Sequence, residues 1–113
     1  MSLSTPTKTP PDCLLTLALP QSLEEEMLDL LLSHPDMAPG FTVVQGQGVG
    51  RHIQLASGME QVQGRARRII VQVALAQAQL PSLLAILRHE LPSPQIAYWV
   101  VPLLAFGRLG VSA

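Results

Sequence analysis

Residues 14–19 read LLTLAL and, 56 positions further on, residues 70–75 read IVQVAL. Each is a short apolar run of the length of a buried strand, and Pro20 bounds the first. A helical pattern follows each run. Behind the first, Ser22 with Glu25 three residues later has the form of a capping box. Glu24, Glu25 and Glu26 suit the positive end of a helix, and Leu23, Met27, Leu30 and Leu31 make an apolar stripe. His34, Pro35 and Gly40 close that helix. Behind the second run, residues 80–91 (LPSLLAILRHEL) repeat the helix, with Pro81 tolerated in the first turn. FTVVQ at 41–45 and AYWV at 97–100 then supply a strand after each helix, Ala97 falling on Phe41 at the same offset. The chain reads as β-α-β twice.

Two such halves predict a ferredoxin-like βαββαβ fold of the α+β class, an antiparallel sheet with both helices on one face. With 113 residues the chain has room for one domain, expected over 13–113. Residues 1–12 are expected to form a Thr/Pro-rich disordered arm, with no apolar core that would mark a signal peptide. The longest apolar stretch, 96–106, holds Pro102 and is far short of the ~20 residues that span a bilayer, so no membrane insertion is expected.

Only 13% of the residues are charged, against about 25% in an average soluble protein. So little charge coats a monomer poorly, and the sheet face opposite the helices is expected to pack against further copies of the chain. The net charge of −1 conceals a division: residues 1–40 carry one Lys against six acids, residues 41–113 six Arg against two. A single cysteine, Cys13, rules out an internal disulfide framework and fits a reducing, cytoplasmic setting.

The second and third strands are separated by about twenty residues, 46–65, reading GQGVGRHIQLASGMEQVQGR. Connections of that length in small domains are functional or disordered. Gly46, Gly48 and Gly50 alternate at its entrance, Arg51 follows, and Arg65, Arg67 and Arg68 stand at its far base. Closely spaced glycines admit backbone N–H groups to an anion, and arginines grip one bidentately. The same residues also suit a flexible turn and a basic strand start that meets acidic residues of a neighbour.

Gly46-Gln47-Gly48, Glu60-Gln61-Val62 with Gly64-Arg65 after it, the strand IIVQVAL, and Tyr98-Trp99-Val100 resemble the PII signal-transduction superfamily. More narrowly, they are similar to small uncharacterised PII-like proteins often found with heavy-metal efflux systems. The resemblance implies a regulatory homotrimer whose long loop docks on a protein partner, often a membrane transporter. It also implies small effectors, anionic ones included, bound near the loop base. Gly46, Gln47, Gly48, Arg51, Glu60, Arg65, Arg67 and Arg68 are the effector- and partner-binding candidates. Nucleotide-binding PII proteins carry a Gly- and Lys-rich loop before the last strand, whereas this chain has Leu91-Pro92-Ser93-Pro94-Gln95 there. No cofactor is expected.

The alternative is a CutA-like protein holding a divalent cation or copper, with His34 and His52 as candidate ligands, although their spacing matches no ligand motif. His34 and His89 also suit the negative ends of their helices. No Gly-x-Ser-x-Gly elbow and no basic partner for Cys13 are present, so no enzyme is expected. Residues 67–75 lack the aromatics with which RNA-binding domains of this fold stack bases, which argues against nucleic acid. Tyr98 and Trp99, adjacent on a strand, must face opposite ways.

Overall fold

The computed structural model describes residues 10–48 and 66–110. Four strands form one antiparallel sheet: β1 (Cys13–Pro20), β2 (Phe41–Gly48), β3 (Ala66–Leu75) and β4 (Ala97–Pro102), in the order β2-β3-β1-β4. Among the described residues two helices, α1 (Glu24–Leu32) and α2 (Leu80–Glu90), cross between the strands, each entered through a three-residue 3-10 turn. This is the double β-α-β arrangement that the repeated runs predict. The expected arm lies almost wholly outside the described residues.

One face of the sheet carries the core. Leu15, Leu17 and Leu19 of β1 alternate with Leu14, Thr16 and Ala18, while Ile69, Val71, Val73 and Leu75 of β3 share their face. These residues pack in a single cluster with Met27 and Leu31 of α1 and Leu83 and Leu87 of α2, which places both helices on that side. Each fully buried aliphatic side chain there contributes about 1.5–3 kcal/mol. Of the stripe foreseen for α1, Met27 and Leu31 reach the buried layer, whereas Leu23 and Leu30 pack at its margin.

The capping box does not form. Pro20 leads into the 3-10 turn Gln21–Leu23, so α1 begins at Glu24 with Leu23 as its cap and no side-chain capping bond. Ser22 is thereby spent in the turn before the helix. Glu24, Glu25 and Glu26 do occupy the first helical turn, where the helix dipole favours them.

The internal repeat is visible in the register. Thr16 pairs directly with Gln72, its counterpart at the offset of 56, so a local two-fold relates β1 to β3. The outer strands obey a different offset. Phe41 pairs with Val73 and Tyr98 pairs with Leu17, and Val73 and Leu17 are themselves counterparts. Tyr98, not Ala97, is therefore the equivalent of Phe41. The second half carries one residue more between its strands, and matching the strands at a uniform offset would turn every side chain of β4 to the wrong face.

Tyr98 lies on the helix side, where its hydroxyl accepts a 2.8 Å hydrogen bond from Arg88 of α2 and its ring sits 5.7 Å from that guanidinium. Trp99 pairs with Thr16 on the opposite, open face. The two aromatics divide between the faces as their adjacency requires.

Candidate functional site

β2 continues beyond the FTVVQ run through Gly48, and β3 begins at Ala66. Gly46, Gln47 and Gly48 therefore pair with Arg68, Arg67 and Ala66 as ladder residues, not as a loop turn. The reason is the partner strand: Arg67 and Arg68 extend β3 backwards and offer β2 a ladder that the glycine pattern does not advertise. Gly46 keeps φ outside the left-handed region, and a Cβ there would meet Ile70 Cγ1 at an ordinary 3.8 Å.

At this end of the sheet a cavity of about 260 Å³ is lined by Gln21, Gln45, Gly46, Gln47, Arg67, Arg68 and Ile69. Three elements build it. β2 and β3 supply the two roots of the long connection, and the turn before α1 brings Gln21 over them because Pro20 pairs with Arg68. Glutamine amides and an arginine around a partly open hollow present several N–H donors and some acceptors, which suits a small polar anion better than an apolar ligand.

The two neighbouring arginines have separate tasks. Arg67 is exposed and lines the cavity on the side of Gln45 and Gln47. Arg68 is only 6% exposed. Its guanidinium donates to Ala18 O at 3.0 Å and to Gln95 O at 2.7 Å, tying β1 to the connection before β4. Burial pushes the Arg68 guanidinium below its ordinary pKa. Arg68 is thus withdrawn from solvent, and its hydrogen bonds to backbone carbonyls compensate its loss of water.

Of the candidates from sequence, Gly46, Gln47, Arg67 and Arg68 come together at the cavity, with Gly48 next along β2. Arg51, Glu60, Arg65 and His52 lie outside the described residues. Gln21 and Gln45 had not been singled out. Gln45 shares strand parity with Gln47, which hints at its role, but Gln21 is brought in only by the β1–β3 register.

His34 follows α1, and its carbonyl accepts from Met37 N and Ala38 N in the turn toward β2. His89 sits in the last turn of α2 beside Glu90, both side chains exposed. Among the described residues, no three His, Cys, Asp or Glu side chains gather as a metal site. Cys13 is buried at the head of β1, its thiol donating to Leu75 O at 3.4 Å. Burial, with a smaller contribution from the Asp12 carboxylate, pushes its pKa up, the opposite of what a nucleophilic thiol needs. No helix among the described residues is long and apolar enough to cross a membrane.

The fold has close relatives among solved structures. A DUF3240 family protein from Shewanella baltica OS155 superposes with a TM-score of 0.71 at 20% identity, over 89% of this chain and 99% of that one. CPII from Thiomonas intermedia K12, a nitrogen regulatory PII-like protein bound to ADP, AMP and bicarbonate, gives 0.65 at 19% identity, over 88% and 97%. CutA1 from Pyrococcus horikoshii OT3 gives 0.64 at 8% identity, over 84% and 86%. No curated protein sequence matches. At these identities the likeness establishes a PII-like, ferredoxin-like fold and leaves the chemistry to the residues. The family model described as protein of unknown function, DUF3240, matches residues 9–110, and the chain belongs to that family.

Proposed function

We propose that this protein is a PII-like regulatory module, a homotrimer whose 49–65 connection docks on a protein partner, such as a membrane transporter of an efflux system. A small anionic effector in the cavity at the base of that connection controls the docking. One observation carries the reading: Gly48 pairs with Ala66, so both roots of the connection sit side by side and frame the cavity lined by Gln45, Gln47 and Arg67. A ligand seated there touches both roots together. Its binding energy can then bias how the connection is held, which is what coupling between an effector and a partner requires. The module needs no catalytic group, and we place it in the cytoplasm.

Calorimetric titration with bicarbonate, AMP and ADP tests the effector. Binding to the wild type, weakened about ten- to a hundredfold by Arg67→Ala, is the expected result, since one charge-assisted hydrogen bond is lost. Arg68→Ala should instead lower the melting temperature, because Ala18 O and Gln95 O lose their donor. An Arg67→Ala variant that binds like the wild type would remove the cavity from the proposal.

A further inference from the structure

The end of the sheet remote from the cavity is built differently. Beyond β4, Leu103 N donates to Asp12 O at 3.0 Å, and the Asp12 carboxylate in turn accepts from Gln77 N, so the tail is anchored where it leaves the sheet. Past that anchor Leu104 and Leu109 are fully exposed, at 102% and 110%, and Phe106 is half exposed. Two wholly solvated leucines on an anchored segment form a convex apolar surface. Beside it lies a hollow of about 1090 Å³, walled by Leu14, Met37, Pro39 and Phe41 and, from the tail itself, by Phe106 and Arg108.

We infer that residues 103–109 are an exchange arm, with Leu104 and Leu109 of one copy seating in this groove on the next copy. The inference rests on the homo-oligomer reading given above and adds how the ring is closed. Three observations select a second copy over a foreign partner. The exposed leucines and the hollow belong to one chain, and a contact between two different patches of the same chain is head-to-tail, the kind that makes a ring where its rotation closes. The arm follows directly on β4, whose Trp99 and Val101 are exposed apolar residues of the open sheet face. Area is the third. Trp99, Val101 and Val44, each about half exposed, fall short of the ~800 Å² per partner of a stable interface, and the arm supplies the missing apolar surface.

Sedimentation at micromolar concentration decides the matter, with far-UV circular dichroism confirming that each variant folds. Leu104→Ser with Leu109→Ser, and Pro39→Glu in the groove wall, should each raise the dissociation constant of the assembly about tenfold or more. Leu32→Ser, an exposed leucine on α1, should leave it unchanged. Mixing the Leu104→Ser/Leu109→Ser protein with Pro39→Glu should restore a dimer, because one intact arm then meets one intact groove. A wild type that sediments only as a monomer overturns both the oligomer and the arm. An assembly that persists in the arm and groove variants overturns the arm alone, as does an equal loss in Leu32→Ser.

Discussion

The two faces of the sheet are made from the same strands and meet opposite fates. On the helix side Leu15, Leu17, Leu19, Val71 and Val73 lie under α1 and α2 with essentially no exposure. On the open side Val44, Trp99 and Val101 stand about half exposed, and the one charged side chain among the described residues of that face, Arg68, is buried by its own carbonyl bonds. Alternation alone would make a strand apolar on one face and polar on the other. Here the open face carries exposed apolar side chains and, among the described residues, no charge but the buried Arg68, so the fold of one chain satisfies only half of what the sequence offers. In the proposed homo-oligomer, the difference separates what stabilises the subunit from what assembles it.

That separation is open to attack by substitution, the core face giving the largest effect. Leu17→Ala removes a fully buried side chain facing Val71 and should cost about 2–5 kcal/mol in denaturant unfolding. A loss below about 1 kcal/mol would mean that the helix layer is loosely packed. On the open face the response should move from stability to association. Val44→Glu should leave the unfolding free energy of the subunit within about 0.5 kcal/mol, as expected of a surface position. It should nevertheless raise the dissociation constant of the assembly about thirtyfold or more, because the interface would bury an unpaired carboxylate. Unchanged sedimentation of this variant would show the open face to be a solvent face. The smallest effect is expected where the sheet meets the long connection. Gly46→Ala places a methyl at ordinary contact with Ile70 and should change stability by less than about 1 kcal/mol, with a gain favoured because glycine weakens a strand. A loss above 2 kcal/mol in thermal unfolding would show that the glycine is required by its backbone.

The two ends of the sheet carry the same contrast in another form. One end is polar, with glutamines and Arg67 around a hollow at the roots of the 49–65 connection. The other is more apolar, with Phe41, Met37 and the tail around a larger groove that also takes in Asp36 and Arg108. Under the proposed function, sensing at one end and assembly at the other would keep effector chemistry apart from the contacts that hold the subunits, so that either could change without unmaking the other.

The runs LLTLAL and IVQVAL, with the helical patterns behind them, determined the strand–helix–strand repeat and the ferredoxin-like arrangement, because periodicity is a local property recorded within a few residues. The helix stripe around Met27 and Leu31 was legible for the same reason, and so was the division of Tyr98 and Trp99 between faces. Tertiary structure decided whatever depends on strands meeting. It shifted Tyr98 into the place of Phe41, drew Gly46 and Gly48 into a ladder, brought Gln21 to the cavity and buried Arg68 beside an exposed Arg67. None of these follows from a pattern along one segment. Register is fixed by the joint packing of two strands and their connections, and a single residue of difference in those connections changes which side chains share a face.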